Sequence, residues 1–104
     1  MEKVEAIQFI RKHLSKTAIM LQLHEESAEL ISAGAKMARA TGAVFNPTPV
    51  SEDAAADNFE EEIIDTMNAL WALGYSPDYV AELVKSDENT KLDRWVERIE
   101  KELI

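Results

Sequence analysis

Apolar residues recur along this chain at intervals of three and four, the spacing that places side chains on one face of an α-helix. No stretch shows the alternation of apolar and polar residues between turn signals that predicts a β-strand. In the first predicted helix, residues 2–14, the apolar positions are Val4, Ile7, Ile10 and Leu14. We therefore expect an all-α protein.

Serine, glycine and proline mark the ends of the second predicted helix and of the connection after it. Ser15 is a helix-capping residue type, and the helix that it begins should run to about residue 41, where Gly42 is a stop signal. Residues 43–50 cannot be helical, because Pro47 and Pro49 each remove a hydrogen-bond donor and restrict the residue before them. We expect a long second helix followed by an irregular loop.

The same signals divide the rest of the chain into three further helices. Ser51 precedes an acidic first turn, and the helix that it begins should end near residue 73, before Gly74. Ser76 and Pro77 start a short fourth helix, to about residue 85, and the fifth carries the apolar residues from Leu92 onward. These elements predict a single domain over residues 1–104, folded as a helical bundle of four to five helices.

The composition excludes several classes of protein. The chain has 104 residues, of which 46% are hydrophobic and 30% charged, which is enough apolar material for one modest core. The absence of cysteine excludes a disulfide scaffold, a thiolate zinc site and a cysteine nucleophile. Because neither a signal-peptide pattern nor an apolar stretch of about 18 residues is present, we expect a cytoplasmic protein with no membrane segment.

The net charge of −9 limits the partners of the chain. Binding to a nucleic-acid polymer depends on a basic surface that releases phosphate counterions, and this chain is acidic. The same charge would repel a free nucleotide. If the protein acts on phosphates, a divalent cation must therefore lie between its carboxylates and theirs.

Two carboxylates interrupt the apolar face of the second predicted helix. Glu26 occupies a position on that face, and Glu29 lies about 60° around the axis, at the margin of the face. The apolar positions that define the face are Ile19, Leu23, Leu30, Ala33 and Met37. A carboxylate in this position is expected to face a neighbouring helix and not bulk water.

A second pair of carboxylates lies on the third predicted helix. Glu62 and Asp65 belong to a row whose other members are Ala55, Ala69 and Ala72, which would permit close approach of another helix. A more strongly apolar row lies beside it, formed by Phe59, Ile63, Leu70 and Leu73 with Thr66 between them. By contrast, the acidic pairs at residues 2 and 5 and at residues 97 and 100 lie off the apolar stripes and predict solvated faces.

Four acids in a small bundle interior must take up protons or share cations. Ligands that offer only oxygen favour hard ions, Mg²⁺ first and Mn²⁺ second. A di-iron carboxylate bundle would need Glu-x-x-His on two helices, but Ile10 and Leu21 stand three residues before the two histidines. The sequence therefore predicts a magnesium site and disfavours a ferritin-like one.

Two acidic motifs on successive helices resemble the paired Glu-x-x-Glu and Glu-x-x-Asp motifs of the MazG-like nucleotide pyrophosphohydrolases. They are Glu25-Glu-Ser-Ala-Glu-Leu30 and Glu61-Glu-Ile-Ile-Asp-Thr-Met-Asn68. The resemblance covers about residues 15–100 and includes the proline-containing loop and the stretch at residues 91–98. This all-α superfamily also includes dimeric dUTPases, dCTP pyrophosphatases and phosphoribosyl-ATP pyrophosphohydrolases.

The resemblance implies a function, a metal site and an assembly. Family members hydrolyse nucleoside triphosphates to the monophosphate and pyrophosphate, and the resemblance implies that this chain does so with Mg²⁺ to remove unwanted nucleotides. Position by position, the resemblance makes Glu26, Glu29, Glu62 and Asp65 the Mg²⁺ ligands and catalytic residues. Glu25 is either an outer acid that orients water or an ordinary exposed glutamate. A homodimer or a dimer of dimers is also implied.

Basic and amide side chains are candidates for binding the substrate. The basic residues either contact phosphate, as the resemblance implies for the late stretch, or pair with surface acids. Asn68 either reads a base edge or orients Asp65. The substrate-binding candidates are Lys36, Arg39, Asn68, Lys91, Arg94 and Arg98.

Two other interpretations stay open. A phosphoribosyl-ATP pyrophosphohydrolase would show the same carboxylates, and a non-catalytic helical interaction module could retain the fold without the chemistry. Among the aromatic residues, Trp71 and Trp95 are expected in the core or at a subunit interface. Phe45, on the proline-containing loop, is the best candidate for stacking on a base.

Overall fold

Five helices make up the computed structural model, which describes residues 1–42 and 50–103. They are α1 (Lys3–His13), α2 (Lys16–Ala40), α3 (Glu52–Leu73), α4 (Pro77–Ser86) and α5 (Thr90–Glu102). The described residues contain no strand. The prediction of an all-α fold with up to five helices is therefore confirmed, with ends close to those expected from the sequence.

Serine caps and glycine stops fix the ends of the helices. The hydroxyls of Ser15, Ser51 and Ser76 each accept a hydrogen bond from the backbone N–H three residues further on, at 3.1, 3.1 and 3.2 Å. Gly74 ends α3 with a φ of 123°, a conformation that residues with a Cβ rarely adopt. The proline-containing loop and Phe45 fall at residues 43–49, outside the described residues.

The long helices α2 and α3 form the main packing interface of the fold. Small side chains line it, because Ala33, Ala55, Ala69 and Ala72 are buried. The prediction that the alanine row of α3 faces a neighbouring helix is thus confirmed. The more strongly apolar row is less covered, because Ile63 is 40% exposed and Phe59, Leu70 and Leu73 are half-buried.

Helix α1 packs against α3 and completes a small core. Ile7 of α1, Ile19 of α2 and Ala72 of α3 are buried together. Ile10, Trp71 and Leu73 are partly buried against them, so Trp71 packs in the core as expected.

Helices α4 and α5 add little to this core. Every described residue from 81 to 103 is exposed, including both acids of the pair at residues 97 and 100. The radius of gyration is 17.6 Å, whereas a compact chain of about 100 residues has roughly 13 Å. Trp95 therefore does not pack in a core within one chain. Across residues 1–42 and 50–103, no helix combines the length and apolarity needed to cross a bilayer.

Candidate metal centre

Three carboxylates from α2 and α3 converge where the two helices face each other. Glu26 lies on α2, and Glu62 and Asp65 lie on α3. One oxygen from each of these side chains lies within 4.8 Å of the other two. Glu26 and Glu62 are half-buried and Asp65 is exposed, so the cluster has an inner and an outer end. The acids are less enclosed than the sequence predicts, since no charged residue among those described is fully buried.

A threonine of α3 lies at the contact between the two helices beside this cluster. The Thr66 hydroxyl donates a hydrogen bond of 2.8 Å to the backbone carbonyl of Glu62. The same hydroxyl lies 3.4 Å from the backbone carbonyl of Glu26, across the helix interface. Both carbonyls belong to acidic residues of the cluster, so the hydroxyl lies where the two helices approach each other.

The inner carboxylates have oxygens without a protein partner. The Gln22 side-chain amide donates a 2.8 Å hydrogen bond to Oε1 of Glu26. Oε2 of Glu26 and Oε2 of Glu62 are buried and have no hydrogen-bond partner among the described residues. A buried, unsatisfied polar atom costs about 1–3 kcal/mol, and more when it is charged. A cation bound by the cluster would give these carboxylates a counter-charge.

Glu29 lies next to the same cluster, one helical turn after Glu26. The negative charge of Glu26 is the largest cause of a raised pKa at Glu29, followed by desolvation and the charge of Glu62. A hydrogen bond with the Glu62 side chain and the charge of Glu25 raise the pKa further. Glu29 therefore lies close enough to Glu26 and Glu62 for their negative charges to repel its own.

A cavity of about 340 Å³ adjoins the carboxylates between α1, α2 and α3. Its polar edge is formed by Gln22, Glu26, Asp65 and Asn68. Its apolar wall includes Ile7 and Ile10 of α1 and Leu14 directly after that helix, together with Ile19 and two buried alanines. The site therefore combines a charged cluster with an apolar recess, an arrangement typical of binding sites for small organic ligands.

The structure places the remaining candidate residues at different distances from the cluster. Asn68 is half-buried on the edge of the cavity, and Glu25 is exposed on α2. Lys36 and Arg39 are also exposed, roughly 10 to 15 Å beyond Glu29 along α2.

The basic residues of α5 are exposed as well. Their helix does not pack extensively on α2 or α3. Within one chain the structure thus brings together the acids and Asn68, but not the basic residues Lys91, Arg94 and Arg98.

Sequence reasoning missed three features of the site. Gln22 supports Glu26, and its position four residues earlier on the same helix is a signal that could have revealed the pairing. Thr66 was noted only as an interruption of an apolar row. The role of α1 as one wall of the cavity had no signal, because it depends on how α1 packs against α3.

Comparison with family models, curated proteins and solved structures gives no match for this chain. The resemblance to MazG-like enzymes therefore rests on the sequence motifs. The convergence of Glu26, Glu62 and Asp65 is an observation independent of that resemblance.

Proposed function

We propose that this chain is a Mg²⁺-dependent nucleoside triphosphate pyrophosphohydrolase of the MazG-like type. The observation that carries the proposal is the convergence of Glu26, Glu62 and Asp65 within 4.8 Å, with two buried carboxylate oxygens lacking partners. Glu29, whose pKa is raised by the same acids, is the fourth proposed ligand.

The donor set fits magnesium. All four side chains offer hard oxygen atoms, which favour Mg²⁺ and, second, Mn²⁺. Neither histidine belongs to the cluster of described residues that could hold a metal, and Nδ1 of His24 is hydrogen-bonded to the backbone carbonyl of Met20 at 3.1 Å. When bound, the ion would neutralise phosphate oxygens and favour deprotonation of an attacking water.

The side chains of the site would orient the metal ligands, admit the phosphate groups and hold a proton. Glu26 is oriented by Gln22, and the Thr66 hydroxyl lies between the two motif helices. The exposed end of the cluster, at Asp65, gives phosphate groups access from solvent. Glu29, with its raised pKa, can hold a proton at the edge of the site more readily than an isolated glutamate.

The adjoining cavity supports a nucleotide substrate over free polyphosphate. Its apolar wall at Ile7, Ile10 and Leu14 can exclude water from one side of a base, while the amides of Gln22 and Asn68 lie on the polar edge. A ligand that occupies both parts of the site must therefore carry an apolar or aromatic group close to its phosphates. Nucleoside triphosphates have this character.

A pyrophosphate-release screen tests the proposal. Canonical and modified nucleoside triphosphates, together with phosphoribosyl-ATP, are incubated with the protein in Mg²⁺, in Mn²⁺ and in EDTA. We expect release that requires the metal and is abolished by Asp65→Asn, while Glu60→Gln, an exposed acid of the same helix, retains activity. Release from phosphoribosyl-ATP alone would assign the protein to the histidine-pathway enzymes.

The screen also has an outcome that would refute the enzyme. No release from any substrate with either metal, at protein concentrations that give native circular dichroism, would favour the non-catalytic interaction module. Full activity of Asp65→Asn would equally contradict the assignment of the carboxylates.

A further inference from the structure

A second cavity, of about 590 Å³, lies where the first turns of α2 meet the end of α3 and the start of α4. Met20 and Leu21 line it from α2, and Leu73 lines it from the last turn of α3. Leu21 is 64% exposed, so the cavity is an open groove and not an enclosed core void. Its volume lies within the range of about 300–1,000 Å³ that is typical of sites for small organic ligands.

Two tyrosines form the aromatic part of this groove. Tyr75 follows Gly74 at the end of α3, and Tyr79 lies in the first turn of α4. Their ring centroids are 5.6 Å apart, and the ring planes are tilted by 54°. Both side chains are exposed, so an aromatic ligand in the groove would meet ring faces and edges that are free to pack against it. We call the cavity the tyrosine groove.

The charge around the tyrosine groove is positive. Lys16 is the single charged residue among the described residues that line it. The guanidinium of Arg11 reaches the same place from α1, since its Nη2 atom lies 4.0 Å from the position that a Cβ would occupy on Gly74. None of the 20 acidic residues of the chain, all of which lie in the described ranges, lines the groove. The groove therefore has the opposite charge to the protein as a whole.

The protein itself does not neutralise these two basic groups. The side chains of Lys16 and Arg11 form no ion pair or hydrogen bond with any residue that the structure describes. The first turn of α2 strengthens the positive potential, because it contains no acidic residue, whereas the first turn of each of the other four helices contains at least one. An anion at this end of the groove would therefore meet unpaired positive charge.

The tyrosine groove is separate from the metal centre. At 100° per residue, Met20 and Leu21 lie about 170° around the axis of α2 from Gln22 and Glu26. The first two residues line the groove, and the second two line the cavity beside the carboxylates. The two sites thus open on opposite sides of the same helix, and a ligand in the groove does not require a bound metal.

The combination of lining and charge restricts what the groove can bind. A neutral apolar molecule would leave the unpaired charges of Lys16 and Arg11 unused, and inorganic phosphate would leave the apolar wall and both tyrosines uncovered. A polyphosphate would meet the repulsion of a chain with a net charge of −9, in a groove that has no carboxylate to hold a bridging cation. A single negative charge on an aromatic body satisfies all of these conditions.

We propose that the tyrosine groove is a binding site for a small aromatic monoanion. The aromatic body packs against Met20, Leu21 and the two tyrosines, and the anionic group lies at the end of the groove formed by Lys16 and Arg11. The proposal does not rest on the proposed pyrophosphohydrolase activity, because it uses none of the metal ligands.

Fluorescence titration with two probes tests the role of charge. Anilinonaphthalene sulfonate is an aromatic monoanion, and phenylnaphthylamine has the same rings without the charge. Lys16→Gln should weaken binding of the sulfonate by about 5-fold, the upper range for an exposed ion pair, and leave the affinity for the uncharged probe unchanged. Lys3→Gln, which removes the same charge at the far end of α1, should bind both probes as wild type does. An unchanged affinity of Lys16→Gln for the sulfonate, or an equal loss for both probes, would overturn the proposal.

A second pair of variants tests where the aromatic body lies. Leu21, in the groove, and Leu92, on α5, are both exposed leucines of helices, so replacing either by glutamine leaves the core intact. Leu21→Gln should lose affinity for both probes, whereas Leu92→Gln should keep it. The reverse result would place the probes on the exposed apolar side of α5 and would contradict the proposal. Circular dichroism verifies that all four variants keep the helix content of wild type.

Magnesium separates this proposal from the proposed function. The affinity for the sulfonate should be the same in EDTA and in saturating Mg²⁺, and Glu62→Gln should bind the probe as wild type does. An affinity that changes several-fold with Mg²⁺ or with Glu62→Gln would place the probe at the metal centre and refute a separate site. Because no nucleotide is used, a protein without pyrophosphohydrolase activity would still give a decisive result in these titrations.

Discussion

Replacing Glu62 by glutamine should stabilise the metal-free protein and abolish its response to magnesium. The substitution removes one negative charge from a cluster in which single oxygens of three acids lie within 4.8 Å of one another. It also replaces a carboxylate whose Oε2 is buried without a partner by a neutral amide. Both changes should raise the free energy of unfolding of the metal-free protein, because repulsion between like charges and unsatisfied buried oxygens oppose folding.

The size of the effect follows from the separation of the charges. Two unit charges about 4.8 Å apart repel by roughly 3.5 kcal/mol at an effective dielectric constant of about 20, and by about 0.9 kcal/mol in water. Because Glu26 and Glu62 are only half-buried, the smaller figure is the closer one. About 1 kcal/mol corresponds to a rise of about 4–8 °C in the melting temperature of a domain of this size.

Magnesium should reverse the order of stability. A ligand at 100 times its dissociation constant stabilises the folded state by about 2.7 kcal/mol, and this gain requires the intact site. The wild type should therefore melt below Glu62→Gln in EDTA and above it at saturating Mg²⁺. The measurement is thermal unfolding followed by circular dichroism, with Glu60→Gln as the control for a lost surface charge.

The outcome that refutes this reasoning is specific. If Glu62→Gln and Glu60→Gln melt together in EDTA, the acids do not repel as the geometry requires. If magnesium stabilises the wild type and Glu62→Gln equally, Glu62 is not a ligand. Either result would remove the main support for the proposed function.

Three further predictions concern the residues around the cluster. Gln22→Leu should weaken Mg²⁺ binding by about 10-fold in calorimetry, because Oε1 of Glu26 loses the hydrogen-bond donor that orients it. Unchanged affinity would show that the Gln22 amide does not orient Glu26. Thr66→Val should cost about 1 kcal/mol in urea unfolding, since the hydroxyl contacts carbonyls of both motif helices; a loss indistinguishable from zero would contradict a role in holding them. Because the pKa of Glu29 is raised in the folded protein, this side chain stabilises the folded state at pH values below its ordinary pKa of 4.5. This contribution is lost as the pH rises through the raised pKa. In EDTA, wild type should accordingly lose stability relative to Glu29→Gln as the pH increases from 4.5. If the two proteins show the same dependence of stability on pH, the neighbouring acids do not repel Glu29.

The ends of the helices were predictable because they depend on local chemistry. Ser15, Ser51 and Ser76 cap the helices that the sequence assigns to them, and Gly74 ends α3 with a positive φ. These signals act within four residues of the helix end, so no knowledge of the tertiary structure is needed.

The packing of α3 was predictable only in part. Two adjacent rows lie on this helix, and hydrophobicity alone ranks Ile63 above the alanines. The structure buries the alanines instead, because small side chains allow α2 to approach most closely along their row. Which of two neighbouring rows faces the partner is decided by the fit between helices, and a single sequence does not contain that information.

The candidate site was also predictable from the sequence only in part. Glu26 was identified because it interrupts an apolar face, and Glu62 because it lies among alanines that face α2. The exposure of Asp65 and the cavity wall from α1 could not be foreseen, since both depend on the angle at which helices cross. The amphipathic pattern of α5 predicted a helix with one apolar side, and within one chain the structure leaves that side exposed.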